Sequence, residues 1–509
     1  MRSSVGDPAA APRLGLATKV SYGLGSVAQG VGAVALSTTI INYYLVSVVG
    51  LRPALVGGII LFSLIIDAVL DPAIGRFSDT FRSRWGRRHP FMYASAIPIA
   101  LATCLLWRNP AGLTGVAFAA YVLIVLVVLR VSGSVFQIPN DALAPELAPD
   151  YHERTGLLAW RWFFGIFGLL AVTVVLYAVY LRKDAAHPLG QNDPAGYANF
   201  GLLAAAICFA SVVASAMATH RFIPFLKPPP VRRQTVAQSV REVFAILTNR
   251  SLLAVMGSGL LSGVAMGVNN SLQNFMNFYF WGLTPQMVAW ITASAAFATI
   301  AGVVAAPLLA RALDKKRTMI TVFLISIFAG VVPVTLRLLG LMPPNGSLLI
   351  PLILGADLFI WGALALIGAV IISSMIADVV EDSAVKTGVR SEGLLFAANG
   401  LIPKITGGVG AVIGNLMLEF VHFPAGALGG VAPVDPAIMR NLALVSLPTG
   451  AILNLLSVAV LVFYRIDKSS HEANLEALRL AASVITPPTA LSTGGETIGG
   501  EAGSFVPPT

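Results

Sequence analysis

Long apolar runs alternate with short polar connections over most of the chain. A helix that spans a bilayer needs about 20 consecutive, mainly apolar residues, and the chain holds twelve runs of that kind. The pattern predicts spanning helices near residues 18–47, 53–78, 91–107, 114–141, 156–181, 197–221, 251–280, 286–311, 318–340, 348–377, 391–420 and 438–464.

The polar connections alternate between basic and non-basic. The loop after the second predicted helix reads FRSRWGRRHP, and the loop after the eighth contains Lys315, Lys316 and Arg317. The alternate connections PQMVAW and MPPNGS contain neither Lys nor Arg. Because cytoplasmic loops carry an excess of Lys and Arg, the pattern predicts an even number of spans with both termini in the cytoplasm.

Composition narrows the class of protein. Hydrophobic residues make up 56% of the 509 residues and charged residues only 11%, whereas soluble proteins carry roughly 25% charged residues. The net charge of +9 comes from the loop clusters, so we expect a lipid bilayer as partner and no nucleic acid. Cys104 and Cys208 lie in apolar runs and form no disulfide framework or metal motif. No HExxH, GxSxG, CxxC or Gly-rich phosphate loop occurs, so we expect neither an enzyme nor a bound cofactor.

The two halves of the chain resemble each other. ERTGLLAW after the fourth predicted helix matches VRSEGLLFAA after the tenth. A six-helix unit repeated in one orientation predicts an all-α membrane protein with the major facilitator fold. The predicted domains are a cytoplasmic N-terminal segment (1–17), a six-helix bundle (18–221), a cytoplasmic linker (222–250), a second six-helix bundle (251–464) and a disordered cytoplasmic tail (465–509).

Two carboxylates stand inside the second predicted helix, in the segment DAVLDP. Asp67 and Asp71 are four residues apart and therefore project from one helical face. Charges are unfavourable in the bilayer interior, and two neighbouring carboxylates tend to share a proton or hold a cation between them. The pair therefore indicates a cation-coupling site. The alternative is that Asp71, beside Pro72, pairs with loop arginines and holds the helix end.

Two cations also lie deep in predicted helices. Arg161 is about two turns into the fifth helix, and Lys404 is about four turns beyond Arg390. Each needs a carboxylate or an oxygen-rich ligand, so both are candidates for ligand or coupling contacts. A fixed ion pair with Asp67 or Asp141 is equally open. Asp357, in the tenth helix, belongs either to a cavity or to a helix contact.

Amide side chains cluster in two predicted helices. The fourth ends in FQIPNDALAPEL, and the seventh carries NNSLQNFMNFYF. Amides bond hydroxyl groups and aromatic rings stack on sugar faces, which favours a hydroxyl-rich substrate. The alternative is that amides hold neighbouring helices together. Pro139 frees a backbone carbonyl, so we also expect a polar gap in the fourth helix.

Three segments resemble the glycoside–pentoside–hexuronide:cation symporters, the family of the melibiose permease. They are DAVLDPAIGRFSDTFRSRWGRRHPF, IPNDALAPELAPDYHERTGLLAWR and DVVEDSAVKTGVRSEGLLFAANGLIPKITGG. RWGRRHPF is also similar to the sucrose carriers. The resemblance implies that Asp67 and Asp71 bind the coupling cation, with Ser134 as the helix 4 hydroxyl. Arg161 and Lys404 match that family's helix 5 arginine and helix 11 lysine.

The chain departs from the melibiose permease at four aligned positions. Leu70 stands where that protein has an Asn, Gly30 and Gln137 where it has galactoside-binding Asp residues, and Asp141 where it has an aromatic residue. Loss of an amide oxygen beside the carboxylates weakens a sodium site more than a proton site. H⁺ is therefore favoured over Na⁺, although Na⁺ remains possible at Asp67 and Asp71. Asp141 becomes a candidate for substrate recognition.

These observations together predict a cation-coupled secondary active symporter of the inner (plasma) membrane. We expect a monomer that binds a sugar or glycoside and works by alternating access; the alternative is a carrier of an amphipathic, lysolipid-like substrate. The predicted substrate-binding residues are Gln137, Asp141, Arg161, Lys404, Asn269, Asn270 and Gln273. The predicted gating residues are Arg87, Arg88, Glu146, Arg154, Asp382 and Arg390.

Overall fold

The computed structural model describes residues 14–148, 150–182, 190–226, 250–387, 392–426 and 434–464. In these ranges all regular structure is helical, and twelve helices are long and apolar enough to cross a membrane. They are α1 (Leu16–Ala35, resuming at Thr38–Tyr43), α2 (Pro53–Thr80), α3 (His89–Leu106), α4 (Gly115–Leu147), α5 (Tyr151–Val175), α6 (Pro194–His220), α7 (Arg250–Phe275), α8 (Pro285–Leu313), α9 (Lys315–Leu338), α10 (Leu349–Thr387), α11 (Glu392–Phe420) and α12 (Pro436–Leu461).

The twelve predicted spans are confirmed, but two of their ends are wrong. α4 continues to Leu147 instead of 141, and α10 continues to Thr387 instead of 377. Hydropathy marks only the part of a helix that lies within the bilayer, whereas the helix itself can continue beyond the bilayer through polar residues. The gap expected at Pro139 is also wrong, because α4 runs through that residue without a break. There the Tyr22 hydroxyl donates to the carbonyl of Asn140 at 2.7 Å.

Three helices end in a π-helical turn. These turns follow α1 (Tyr44–Val48), α5 (Leu176–Tyr180) and α7 (Met276–Phe280). Each is closed by an N–H that bonds the carbonyl five residues earlier, at 2.9 to 3.0 Å. Such widened turns are rare and often mark functional positions.

The helices pack as two copies of one six-helix unit. In the first half α1 packs on α5 and α6, α3 on α4 and α6, and α2 on α4. In the second half α7 packs on α11 and α12, α9 on α10 and α12, and α8 on α10. The second set is the first set moved six helices along the chain. Glycines allow the closest approach in both halves: Gly30 lies against the Gly165 carbonyl, and Gly410 lies against Gly267.

The two halves meet where α2 packs on α11, α5 on α8, and the outer part of α1 on α7. One end of this junction is shut, and we call it the closed end. There the Gly426 N–H bonds the Val46 carbonyl at 3.0 Å, and Arg52 pairs with Glu419 at 2.6 Å. The opposite end carries the Arg- and Lys-rich loops, and we call it the basic end.

Candidate functional site

Two carboxylates and one ammonium group meet where the halves touch. Asp67 and Asp71 project from one face of α2, and Asp67 is only 5% exposed. Lys404 of α11 donates to Asp67 Oδ2 at 2.7 Å and to Asp71 Oδ2 at 2.5 Å. These three residues form the acid–lysine cluster. The lysine belongs to the second half and the acids to the first, so the cluster ties the halves together.

Helix α4 supplies two neighbours of the acid–lysine cluster. The Ser134 hydroxyl donates to Asp67 Oδ1 at 3.2 Å. Arg130 donates from Nε to the hydroxyl of Ser63 at 3.1 Å, one turn before Asp67, and lies close enough for its charge to act on that carboxylate. The second oxygen of Asp71, Oδ1, is buried without a hydrogen-bond partner. The cluster therefore has a carboxylate oxygen left for a further donor or cation.

A second ion pair joins α4 to α5. The carboxylate of Asp141 contacts the guanidinium of Arg161. Gln137 precedes Asp141 by one turn and is exposed, so both project from the same side of α4. Beside them, both polar atoms of the Asn140 side chain are buried and lack a partner. Arg161 and Lys404 thus both sit in ion pairs, the alternative that the sequence left open.

Gly30 has no space for a larger residue. A Cβ atom on Gly30 would lie 2.4 Å from the Gly165 carbonyl oxygen and 2.5 Å from the Leu169 nitrogen. Distances this short require the backbone of α5 to move. An aspartate at position 30 is therefore incompatible with the packing of α1 on α5 seen here.

A cavity of about 1140 Å³ lies mainly within the second half. Asn269, Asn270 and Gln273 of α7 line it, and no hydrogen bond joins these side chains to other residues of the described ranges. Helices α8 to α12 form most of its remaining wall, with α1 and α5 contributing from the first half. The other four predicted substrate-binding residues, Gln137, Asp141, Arg161 and Lys404, are not among the described residues that line it.

Other amides on the same helices hold the halves together. The Asn42 amide donates to the carbonyl and the hydroxyl of Ser271, both at 2.8 Å. The Asn274 amide donates to the Tyr177 hydroxyl at 2.9 Å and to the Thr39 carbonyl at 3.2 Å. Asn274 therefore lines the cavity and also bonds α1 and the turn after α5, whereas Asn269, Asn270 and Gln273 line the cavity without such bonds in the described ranges.

Helix α11 separates the acid–lysine cluster from the cavity. Lys404 points to α2, whereas Ile402, Pro403 and Thr406 line the cavity. Gly408 packs directly against α2, since a Cβ there would lie 2.7 Å from the Leu61 side chain. A shift of α11 would therefore change both the acid–lysine cluster and the wall of the cavity.

Three of the predicted gating residues form one network at the basic end. Glu146 Oε1 accepts from Arg87 at 2.7 Å and from Arg88 at 2.9 Å, and Arg88 also pairs with Asp79 at 2.9 Å. Arg154 lies in the first turn of α5. Arg390 and the side chain of Asp382 lie outside the described residues.

The sequence missed a matching contact in the second half. Lys315, after α8, donates to both carboxylate oxygens of Asp378 near the end of α10, each at 2.7 Å. In the first half, Glu146 near the end of α4 likewise binds Arg87 and Arg88 of the loop after α2. The repeat of GRFSDTFRSRWGRR and ARALDKKR was visible in the sequence, but its acidic partner could not be chosen without the packing.

Comparisons with known proteins agree with this architecture. A family model described as MFS/sugar transport protein matches residues 21–468. The chain is 25% identical to an uncharacterized symporter of Synechocystis, with 91% of this chain and 96% of that protein covered. It is 26% identical to a putative 2,3-dihydroxypropane-1-sulfonate exporter of Escherichia coli (91% and 95% covered) and 23% identical to an isoprimeverose transporter of Lactiplantibacillus pentosus (88% and 88% covered).

Solved structures share the fold at low sequence identity. The nucleoside transporter NupG has a TM-score of 0.59 at 14% identity, with 88% of this chain and 99% of that chain covered. The xylose transporter XylE from E. coli, in an inward open conformation, has a TM-score of 0.58 at 14% identity (90% and 98% covered). The fold is that of the major facilitators, and these relatives are membrane transporters and not enzymes. By the extent of the family match, the chain belongs to the MFS/sugar transport protein family.

Proposed function

We propose that this protein is a cation-coupled symporter of a sugar or glycoside in the plasma membrane, with its basic end and both termini in the cytoplasm. The observation that carries the proposal is the contact of Lys404 with both Asp67 and Asp71, at 2.7 and 2.5 Å, across the junction of the halves. A cation site that bridges two moving bundles is what coupling by alternating access requires.

The charge of the cluster favours exchange of one cation for another. Two carboxylates, Asp67 and Asp71, face two cations, Lys404 and the nearby Arg130. A coupling ion that joined this neutral group would leave an unbalanced charge in a medium where that is unfavourable. A coupling ion therefore enters as Lys404 withdraws, and the unpartnered Asp71 oxygen is its first point of contact.

Helix α11 would carry the effect of that exchange to the substrate. Withdrawal of Lys404 removes a bond between the halves and frees α11 from α2. The opposite face of α11, with Ile402, Pro403 and Thr406, borders the cavity. Two ligands that bias the same two-state element must affect each other's affinity equally. Coupling ion and sugar are therefore linked through α11.

Among coupling ions, the oxygen atoms of the site favour H⁺ over Na⁺. The oxygen-bearing side chains described there are Asp67, Asp71 and the hydroxyl of Ser134, and the Ser63 hydroxyl one turn before Asp67 is already bonded to Arg130. Hard metal cations prefer a shell of several oxygen ligands, whereas a proton needs one carboxylate. Leu70, between the acids, adds no oxygen.

The lining of the cavity and the names of the relatives both support a substrate with many hydroxyl groups. Asn269, Asn270 and Gln273 offer donors and acceptors that other side chains do not occupy. Such amides suit a ligand with many hydroxyl groups. Relatives of the chain include the isoprimeverose transporter and a lactose permease of Lactobacillus delbrueckii.

An amphipathic substrate is the second candidate, because one wall of the cavity is apolar. Met319, Val322, Phe323 and Ile327 of α9 face the same space as the amides of α7. Competition between glycosides and lysolipids for binding to the purified protein separates the two candidates. Displacement of a bound glycoside only by lysolipids of matching chain length would favour the second.

The closed end and the basic end define the state of the transporter under this orientation. Val46 to Gly426 and Arg52 to Glu419 join the halves on the side away from the cytoplasm. The described conformation is then inward-facing. The two bundles, 18–221 and 251–464, would be the moving units, joined by the linker at 222–250.

Transport in liposomes tests the proposal. Full-length protein is reconstituted, and uptake of radiolabelled lactose and isoprimeverose is measured under an imposed pH gradient, an imposed Na⁺ gradient, or neither. We expect Asp67→Asn and Asp71→Asn to abolish gradient-driven accumulation while exchange of internal for external sugar persists. Asp435→Asn is the control, because that residue only caps α12 and Asn caps a helix equally well. Wild-type accumulation in both α2 variants would refute the coupling assignment.

A further inference from the structure

Asp357 is the carboxylate on the cavity wall. It lies eight residues beyond the first residue of α10, which is about 12 Å into the helix at 1.5 Å per residue. The side chain is half-buried and lines the cavity of the second half. The structure thus resolves the question that the sequence left open: Asp357 belongs to a cavity.

No cationic side chain accompanies Asp357 on this wall. Among the described residues that line the cavity, it is the sole charged one, and no ion pair is found for it in the described ranges. An ionised carboxylate in the membrane interior normally has a partner. Because none of the described lining residues supplies a cation, we take the partner to be the hydrogen-bond donors of a ligand bound in the cavity.

The neighbours of Asp357 indicate which ligand supplies those donors. Trp361 follows it by one turn on the same face of α10, and it lines the same cavity. Asn269, Asn270 and Gln273 of α7 line the same cavity, and no hydrogen bond to another residue of the described ranges occupies their amides. A carboxylate accepts hydrogen bonds from two adjacent hydroxyl groups, an indole ring covers an apolar sugar face, and amides bond the remaining hydroxyls.

We propose that Asp357 and Trp361 form a sugar-ring subsite in the second half of the protein, in which Asp357 accepts hydrogen bonds from two hydroxyl groups and Trp361 stacks on the ring. This assignment deepens the proposed function and rests on it for the class of substrate. It separates the two tasks of the molecule: the acid–lysine cluster handles the coupling ion, and α7 with α10 recognises the sugar.

The test measures binding without any ion gradient. Full-length protein in lipid nanodiscs is titrated with radiolabelled lactose and isoprimeverose at one fixed pH. We expect Asp357→Asn to weaken the tighter-binding sugar about ten- to a hundredfold, since hydrogen bonds to a charged group are strong. Trp361→Leu should weaken it about tenfold and Trp361→Phe less. Asp435→Asn is the matched control and should bind as the wild type does.

A second measurement distinguishes the loss of a direct contact with the sugar from a loss of binding caused by misfolding of the variant. Deoxy analogues of the tighter-binding sugar are compared on the wild type and on Asp357→Asn. Removal of a hydroxyl group that bonds Asp357 should weaken binding to the wild type at least about tenfold but leave binding to Asp357→Asn nearly unchanged, as expected for two groups in direct contact. A merely structural role for Asp357 would give the same loss in both proteins.

Three results would overturn the subsite. One is glycoside affinity within about twofold of wild type in both Asp357→Asn and Trp361→Leu. Another is loss of pH-driven accumulation in Asp357→Asn with unchanged affinity, which would make Asp357 a proton site instead. The third is absence of glycoside binding by the wild type, which refutes the substrate class as well. Failure of the Asp67 and Asp71 variants to lose coupling leaves this binding test intact, so the two proposals fail separately.

Discussion

The membrane interior of this protein holds acids in two different settings. Asp67 and Asp71 face Lys404 directly and have Arg130 nearby, so their charges are balanced within the protein. Asp357 lies on the wall of a cavity whose described lining contains no cationic side chain. The first setting resists a change in its ligands, since an incoming cation must displace one that is present. The second setting is open to hydrogen-bond donors that diffuse in.

This contrast teaches how one fold keeps two ligands apart. Under the proposed function, charge balance inside the acid–lysine cluster would make it selective for small cations, because only they can replace an ammonium group between two carboxylates. The open carboxylate has room for a large neutral molecule. Helix α11 lies between the two sites and contacts both, through Lys404 on one side and Thr406 on the other.

The largest expected effect on stability comes from removing the positive charge of Lys404. Lys404→Gln leaves the carboxylates of Asp67 and Asp71 facing each other. Breaking a buried ion pair from one side costs about 3–5 kcal/mol, and the lower end applies here because Lys404 is 26% exposed. The midpoint temperature of thermal unfolding, measured in nanodiscs, should fall by several degrees. Addition of Asp71→Asn in the same protein should restore much of the loss; no restoration would contradict charge balance as the function of Lys404.

A substitution can also give Asp357 an internal cation partner, like the one that Asp67 and Asp71 already have. Trp361→Lys places an ammonium group one turn from Asp357, where it can form an internal ion pair. Glycoside affinity should then fall at least about tenfold below that of Trp361→Leu, because the carboxylate is already occupied. The measurement is sugar titration in nanodiscs at fixed pH. Equal affinities of the two variants would mean that the carboxylate does not meet the sugar.

Glycine substitutions distinguish α11, which contacts both the acid–lysine cluster and the cavity, from α1 and α5, which contact only the cavity. Gly410→Ala pushes α11 away from α7, where a Cβ would lie 2.6 Å from Gly267. Gly30→Ala disturbs α1 and α5 instead. Each should destabilise the protein by about 1–3 kcal/mol and can change sugar affinity, but only Gly410→Ala should also change coupling. Gly32→Ala, with no atom within 4 Å of the new Cβ, is the control and should be neutral or slightly stabilising. Altered coupling in Gly30→Ala would remove the distinction.

The smallest effect is expected at the closed end. The Arg52 to Glu419 pair joins the halves but is largely exposed on the arginine side, and exposed pairs contribute about 0–1 kcal/mol. Arg52→Gln should therefore shift the balance toward opening of this end by less than about fivefold. Spin labels on α1 and α7 can follow the distance between the halves there. A complete shift to the open state would mean that this pair, and not the acid–lysine cluster, dominates the junction.

Most of the fold could be predicted from the sequence because the length of each apolar run matches the thickness of the bilayer that the helix crosses. It predicted all twelve spans and the repeat, and it erred where a helix leaves the membrane, as at Leu147 and Thr387. Beyond the bilayer, hydropathy no longer distinguishes helix from loop. Pro139 was misjudged for another reason, since the surrounding helices tolerate a proline within α4.

The site was predictable in its members but not in its pairings. Spacing placed Asp67 and Asp71 on one face, yet Lys404 lies more than three hundred positions away along the chain. No local pattern says that α2 packs on α11, and so whether Lys404 meets those acids or Asp141 stayed open. The same applies to Asp357: a helix has several sides, and only its neighbours decide which one borders a cavity.

Under the proposed function, Lys404 would also have a kinetic consequence for the transport cycle. A symporter must return empty after it has released its cargo, and during that return no ion accompanies it. With Lys404 between Asp67 and Asp71 and Arg130 nearby, the returning protein already contains two counter-ions for its two acids, which therefore cross the membrane field neutralised. A carrier that has bound an ion but no sugar lacks this lysine contact and reorients less readily. The same lysine would thus speed the unloaded return and limit wasteful ion leak.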